Sequence, residues 1–240
     1  MSKELQRINQ YLAHSGIASR READALIKAG AVLVNGIVAE LFTKVDPEKD
    51  KVEVVQKGKP KQCEYYVYNK PRGVVTTNPV GKEIDIIHAA TFPIKVFPVG
   101  RLDKDSTGLI LLTNDGRITG RLLDPEFHHE KEYEVTIQEP VTNTFVQRMA
   151  KGVRLNDGYM TRPAKVKQVG SHVFTIVLTE GKNRQIRRMT EALRCTVREL
   201  KRTRIEHIKL GNLKLGTFRS LTKKELAELF VRLQLPENKK

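Results

Sequence analysis

The first part of the chain shows two stretches of helical periodicity. Apolar residues recur at helical spacing, first at Leu5, Ile8 and Leu12 and then at Ala23, Leu26 and Ile27. Such spacing predicts two helices that each bury one face. Ser19 and Glu22 have the spacing of a capping box, which predicts the start of the second helix. Glycines are placed to end the two helices, at Gly16 and Gly30.

A short alternating stretch follows the second helix. Val32 to Val34 and Ile37 to Val38 flank Asn35-Gly36, the dipeptide that favours a tight hairpin turn. Helix, helix and hairpin predict a small module at residues 1–57. Residues 58–62 are polar and basic and contain glycine and proline, which is typical of a linker. Residues 63–240 are then expected to form a second, larger domain.

Short strand patterns dominate this larger domain. Strands are predicted at Tyr65 to Tyr68, Val74 to Thr77, Val96-Phe97, Leu109 to Leu112, Lys131 to Ile137, Lys165 to Val169 and Val173 to Leu178. Helices are predicted at Thr142 to Ala150, Arg184 to Leu193 and Thr222 to Phe230, the last opened by a Thr222–Glu225 capping box. Hairpins with scattered helices predict an α+β fold with a mixed, mostly antiparallel sheet.

The charge of the chain indicates a polyanionic partner. Its 240 residues include 43 Lys and Arg against 28 Asp and Glu, a net charge of +15. We expect nucleic acid and no membrane, because no apolar run reaches the roughly 18 residues of a spanning helix. The N-terminus lacks the apolar core of a signal peptide, so a cytoplasmic location is expected. Cys63 and Cys195 lie far apart in sequence and suggest neither a disulfide framework nor a zinc site.

The segment from Gly100 to Gly116 is the densest cluster of special residues. Arg101, Asp103 and Asp105 lie between two glycines and precede the predicted strand at Leu109. Asn114 to Gly116 is expected to form the turn that stops this strand. Charged side chains gathered in a flexible loop indicate a functional site.

The residues of this segment allow other interpretations. A solvated loop is one, and a glycosidase pair of Asp103 and Asp105 is another that stays open. A calcium loop fails, because its twelfth position requires a bidentate Glu and holds Asn114. His128 and His129 lack the second histidine of H-E-x-x-H and are expected to lie on the surface or contact RNA rather than bind metal.

Two further features suggest contact with phosphates. Arg20 and Arg21 lie in the first turn of the second helix, where the helix dipole disfavours cations, so a bound phosphate would explain them. In the predicted helix from Arg184, the apolar residues Ile186, Met189 and Leu193 share one side. The basic residues of and after this helix are Arg184, Arg187, Arg188, Arg194, Arg198, Lys201, Arg202 and Arg204. The alternative in both cases is a solvated charged surface.

Four motifs occur in order along the chain, namely YNKPRGVVTT, GRLDKDSTGLILLTNDG, HEKEYEVTI and GKNRQIRRM. Together they resemble the RsuA/RluB/RluE/RluF family of pseudouridine synthases. Ser106 stands where most of the family has Thr, and with the LKRTRI run from Leu200 the chain is most similar to the RluF subgroup. The stretch from Ile8 to Val38 resembles the alpha-L RNA-binding motif of a small-subunit ribosomal protein.

The resemblance implies conversion of a specific uridine in ribosomal RNA to pseudouridine, with a large-subunit stem-loop favoured over small-subunit RNA or tRNA. It implies that Asp103 is catalytic and that Arg187 forms an ion pair with it. Such a pair would keep the carboxylate ionised in a cleft that excludes water. Tyr133 would stack on the base and Leu200 would form an apolar wall.

The remaining expectations concern binding residues and partners. Arg101 is a further substrate contact, and the RNA contacts are expected at Arg20, Arg21, Lys70, Arg184, Arg188 and Arg202. No cofactor and no metal are expected, because the reaction is a rearrangement, and the protein is expected to be a monomer. A non-catalytic RNA-binding or ribosome-assembly protein and a nucleoside hydrolase are the alternatives.

Overall fold

The computed structural model describes residues 5–55 and 63–236. Two helices and five short strands make up the first of these ranges. Helix α1 spans Ile8–His14 and α2 spans Arg20–Lys28. The strands are β1 (Gln6–Arg7), β2 (Val32–Val34), β3 (Ile37–Val38), β4 (Lys44–Val45) and β5 (Val52–Val54). β1 pairs with β4, and β2 pairs with β3 and β5, all antiparallel.

The local signals of this first range are confirmed. The Glu22 N–H donates to Ser19 Oγ at 3.3 Å, and the Ser19 N–H donates to Glu22 Oε2 at 3.0 Å, which completes the capping box. Gly16 and Gly30 follow the two helices with φ of 70° and 66°. β2 and β3 form the predicted hairpin about Asn35 and Gly36.

The assignment of Leu5 to the first helix is wrong. α1 begins at Ile8, because the two residues before it pair with β4 and Arg7 has an extended backbone. Leu5 is 59% exposed and contributes nothing to the buried face. The predicted linker at residues 58–62 lies outside the described residues, and the domain boundaries stay a prediction.

Nine strands form one sheet in the second range, in agreement with the predicted α+β class. They are β6 (Tyr65–Lys70), β7 (Phe97–Val99), β8 (Thr107–Thr113), β9 (Lys131–Ile137), β10 (Lys165–Gln168), β11 (Val173–Leu178), β12 (Val197–Ile205), β13 (Ile208–Lys209) and β14 (Phe218–Ser220). The main path runs β10-β11-β9-β12-β8-β6-β14, with β13 on β12 and β7 on β8. Within this sheet β12 and β8 are parallel and the other described pairs are antiparallel.

Five helices accompany this sheet. They are α3 (Ile86–Ala89), α4 (Gly116–Leu123), α5 (Asn143–Lys151), α6 (Gln185–Ala192) and α7 (Lys223–Arg232). The last three match predicted helices to within two residues at each end, and Thr222 and Glu225 form the expected capping box. No helix in the described ranges is long and apolar enough to cross a membrane.

Helix α4 is missing from the sequence prediction. The strand before it ends at Thr113, one residue beyond the predicted Leu112, and Asp115 then caps a helix, because its Oδ1 accepts from the Arg117 N–H at 3.1 Å. Ile118 and Leu122 are the buried residues of this helix. Glycines at 116 and 120 weaken the helical pattern, which explains the omission.

Candidate active site

The loop that carries Asp103 borders a cleft of about 510 Å³. It runs from Gly100, with φ of 79°, to β8. Thr76 holds the loop through two hydrogen bonds, because its hydroxyl donates to the Leu102 carbonyl at 2.7 Å and accepts from the Leu102 N–H at 3.0 Å. The Ser106 N–H donates to the Asp103 carbonyl at 3.0 Å and tightens the turn. The Asp103 carboxylate is thereby held at the cleft with its side chain 31% exposed.

The side chain of Lys70 is buried next to this loop and supports it through hydrogen bonds. Its ammonium donates to the carbonyls of Pro71 and Val74 at 2.8 and 2.6 Å, and to that of Lys104 at 3.4 Å. Burial lowers the pKa of Lys70 to about 8, against the opposing charges of two nearby carboxylates. Lys70 has no exposed surface, so the prediction that it contacts RNA is contradicted.

Two arginines approach the loop from the start of α6. Arg184 Nη1 lies 3.9 Å from Asp103 Oδ2, and Arg187 Nη2 donates to the Asp105 carbonyl oxygen at 3.4 Å. The ion pair expected between Arg187 and Asp103 is therefore made by Arg184 instead. Burial and then the charge of Arg184 lower the pKa of Arg187, whereas the carboxylates of Asp103 and Asp105 raise it.

A buried carboxylate fixes the segment that presents Arg184. Glu180 is 4% exposed, and its Oε1 accepts from the Gln185 side chain at 2.6 Å and from the Arg162 N–H at 3.0 Å. Its Oε2 accepts from the Tyr159 hydroxyl at 2.6 Å. Both oxygens of Glu180 are thus engaged, which anchors the chain just before α6.

The floor of the cleft comes from two neighbouring strands. Lys131 and Tyr133 lie two residues apart on β9, and Leu200 and Arg202 lie two apart on β12, so each pair shares a face. Arg202 is paired with Tyr133 in the register of the two strands. All four residues line the cleft together with Asp103. The structure therefore brings the predicted catalytic acid, tyrosine and apolar wall to one site.

Arg202 is buried rather than projecting to a surface phosphate. It is 4% exposed, and its Nε donates to the Leu109 carbonyl at 2.6 Å. This contradicts the prediction that Arg202 belongs to a basic surface that follows the RNA phosphates. The alternating strand pattern turns Lys201 outward and Arg202 into the cleft.

The other predicted contacts lie around the cleft or in the first range. Arg101 is exposed and lines the cleft, whereas Arg188 Nη2 is 2.6 Å from Asp157 Oδ2. Arg20 and Arg21 are exposed in the first turn of α2. His129 is 7% exposed, because it lies against Glu206, and the expectation that it is a surface residue is wrong.

The sequence analysis does not predict two residues of the site, Lys131 and Glu180. Lys131 shares the alternating face of Tyr133, so the strand pattern itself could have placed it in the cleft. Glu180 carries no comparable signal, because its partners Tyr159, Arg162 and Gln185 come together only through the fold.

Comparison with known proteins agrees with this geometry. Residues 64–192 match the family model for RNA pseudouridylate synthase, and residues 6–51 match the S4 domain model. The dual-specificity RNA pseudouridine synthase RluF of Escherichia coli strain K12 is 44% identical over 228 residues, which cover 93% of this chain and 78% of the relative. Ribosomal large subunit pseudouridine synthase B of Bacillus subtilis strain 168 is 35% identical over 238 residues, covering 94% and 96%.

A solved structure gives the same result at the level of the fold. The crystal structure of a pseudouridylate synthase superposes with a TM-score of 0.70 at 30% identity, over 93% of this chain and 99% of that one. Sequence and fold therefore agree across nearly the whole length. The chain belongs to the RNA pseudouridine synthases of RsuA/RluB type, isomerases with an N-terminal S4 domain.

Proposed function

We propose that this isomerase modifies one uridine of large-subunit ribosomal RNA and that Asp103 acts at the sugar. The assignment rests on which of the two carboxylates that line the described cleft, Asp103 and Glu180, is available to a substrate. Glu180 has both oxygens occupied by internal hydrogen bonds. Asp103 is partly exposed to the cleft and has a guanidinium at 3.9 Å, so it is the carboxylate free to meet a substrate.

The reaction sets demands that these residues can meet. The C1′–N1 bond must break, the uracil must turn while it is held, and C5 must bond to C1′. Asp103 serves either route to cleavage, because a carboxylate can attack C1′ or remove a proton from C2′. Tyr133 offers a ring to the extruded base and Leu200 an apolar wall. Their contacts help to offset the few kcal/mol, roughly, that it costs to take a base out of the stack.

The choice of RNA rests on the names of the relatives. The Bacillus subtilis relative is named for the ribosomal large subunit, which favours large-subunit RNA here. The Escherichia coli relative is named as dual-specificity, so a second RNA, small-subunit ribosomal RNA or tRNA, is the runner-up. The exposed Arg20 and Arg21 of the S4 region then dock structured RNA, while Arg101, Arg184 and Arg188 contact the strand near the cleft.

The test compares two neighbouring carboxylates, Asp103→Asn and Asp105→Asn, on an RNA labelled with tritium at uridine C5. Tritium is released when C5 bonds to C1′, so its release reports product. We expect Asp103→Asn to lower the rate by about 10³-fold or more with unchanged RNA affinity, and Asp105→Asn to stay within about tenfold of wild type. Tritium release by Asp103→Asn at the wild-type rate would overturn the assignment. Free uracil in the mixture would reveal a hydrolase.

A further inference from the structure

The floor of the cleft holds two cations for which the described residues provide no carboxylate partner, Lys131 and Arg202. The Lys131 ammonium donates one hydrogen bond, to the His129 carbonyl at 3.2 Å. Arg202 uses Nε for the Leu109 carbonyl, and its Nη2 is buried without a hydrogen-bond partner among the described residues. Lys131 and Arg202 line the same cleft as Asp103 and Tyr133.

Keeping such groups in a protein interior is costly. A buried donor without an acceptor costs about 1–3 kcal/mol, and more for a charged group. Burial and then the charge of Arg202 lower the pKa of Lys131 to about 8, although the charge of Glu206 opposes the shift. These penalties disappear when a ligand supplies acceptor oxygens, so the pair is suited to a bound group with negative charge.

We propose that Arg202 and Lys131 bind the carbonyl oxygens of the target uracil and stabilise the base as an anion while its bond to the sugar is broken. The inference rests on the proposed function, because it takes Asp103 to act at the sugar. It assigns the two cations to the base rather than to the RNA backbone. The register of β9 and β12 supports this assignment, since it sets Arg202 beside Tyr133, the aromatic residue expected on the base.

The movement of electrons in the reaction shows why two cations are useful beside the base. When C1′–N1 breaks, the electron pair stays on N1, and the uracil carries one negative charge shared with O2 and O4. On one route Asp103 bonds to the electron-poor C1′ and leaves again when C5 attacks that carbon. On the other route Asp103 takes the C2′ proton and returns it to C2′ as C5 bonds to C1′. After the base turns, C5 supplies the electron pair for the new C1′–C5 bond. C5 then loses its proton and N1 gains one, so the product is an isomer of the substrate.

The first experiment measures single-turnover rates on a saturating stem-loop for Lys131→Met, Arg202→Met and Arg202→Lys. Hydrogen bonds from charged donors to a developing charge are worth about 1.5–3 kcal/mol, so we expect the Met variants to lose about 10–100-fold in rate. RNA affinity should stay within about threefold. Lys167→Met, which removes an exposed lysine of β10, is the matched control and should keep the wild-type rate.

The second experiment replaces the target uridine with 5-fluorouridine and follows consumption of that nucleotide. Fluorine stabilises the uracil anion, so the loss caused by Lys131→Met should shrink by about fivefold or more relative to uridine. An equal loss on both substrates overturns the proposal. The proposal is also overturned if a variant binds RNA more weakly and its slope of log K against log salt is shallower by about 0.9. Such a change is what loss of one phosphate contact produces.

The outcomes also separate this inference from the proposed function. Wild-type activity in Asp103→Asn contradicts the function, whatever Lys131 does. If Lys131→Met loses the same rate on uridine and 5-fluorouridine while Asp103→Asn is inactive, only the role of the two cations is contradicted. If thermal melting shows that Arg202→Met is unfolded, Lys131→Met and Arg202→Lys decide the matter. Arg202→Lys keeps a charge but loses the Nε contact with Leu109, and should recover part of the rate.

Discussion

Gly108 lies against the backbone of Arg202. A Cβ added at residue 108 would come within 2.3 Å of the Arg202 carbonyl oxygen and 2.7 Å of its nitrogen. The contact occurs where β8 and β12 run parallel, with Gly108 paired to Arg202. It sets the spacing between the loop that carries Asp103 and the strand that carries Leu200 and Arg202.

Gly108→Ala should therefore damage both stability and activity. The residue has φ of 103°, a conformation that costs a non-glycine residue about 1–3 kcal/mol, and the backbone collision adds to that cost. The matched control is Gly158→Ala, which has φ of 84° and nothing within 4 Å of the added Cβ. Urea unfolding should show a larger loss for Gly108→Ala, together with loss of turnover. Equal losses would contradict the role of the close approach.

Arg184→Gln should slow turnover without abolishing it. The guanidinium lies 3.9 Å from the Asp103 carboxylate, but both side chains are partly exposed, so screening limits the effect to about tenfold at saturating RNA. Arg184→Lys keeps the charge and should recover most of the rate. Arg188→Gln, whose partner is Asp157, serves as the control and should change RNA affinity more than the saturated rate. The same rate loss for both Gln variants would argue against a specific role for Arg184.

Glu206 should make the protein sensitive to acid. Burial alone raises its pKa, but hydrogen bonds from His129, the Glu130 N–H and Arg232 outweigh burial and bring the pKa to about 2, below the ordinary 4.5. Because the folded pKa is depressed, the stabilisation is complete above pH 4.5 and is lost as the pH falls toward 2. Its size is about 3 kcal/mol as an order of magnitude.

The measurement compares urea unfolding of wild type and Glu206→Gln from pH 7 downward. The stability gap should be largest at pH 7 and narrow below pH 4.5. Glu191→Gln, at an exposed position, is the control and should show little gap at any pH. A gap for Glu206→Gln that is constant with pH would mean that shape rather than charge is responsible.

Arg20→Ala with Arg21→Ala should weaken RNA docking selectively. Both side chains are exposed in the first turn of α2, where the helix dipole favours an anion. We expect weaker binding to folded ribosomal RNA and a salt slope reduced by about 2. Turnover on a short saturating stem-loop should stay near wild type. Lys28→Ala, an exposed change at the other end of the helix, is the control, and equal losses on both RNAs would argue against an addressing role.

Local signals in the sequence predicted most elements of the fold. The strands Lys131–Ile137 and Val173–Leu178 have the predicted bounds, because alternation is clear in both. The capping boxes at Ser19 and Thr222 also formed, since each needs only residues three apart. Helix α4 was not predicted, because two glycines and a short apolar pattern are typical of a turn.

The composition of the site was predicted better than its contacts. Asp103, Tyr133 and Leu200 meet in the cleft as the family motifs implied. The motifs did not reveal that Arg184 rather than Arg187 pairs with Asp103, nor that Lys70 and Arg202 are buried. Those facts depend on how distant segments pack. A short motif identifies a basic residue but does not indicate whether its side chain is buried or exposed.

The parallel pairing of β8 and β12 also constrains how the enzyme matures during synthesis. Thr107 pairs with Lys201, so β8 and β12 can pair only after Lys201 has been synthesised. Leu200 and Arg202 are absent from a nascent chain that has not yet exposed β12, so such a chain has an acidic loop but no floor beneath it. A ribosome-bound intermediate truncated before β12 should therefore be unable to modify RNA, and catalytic competence should arise late in translation.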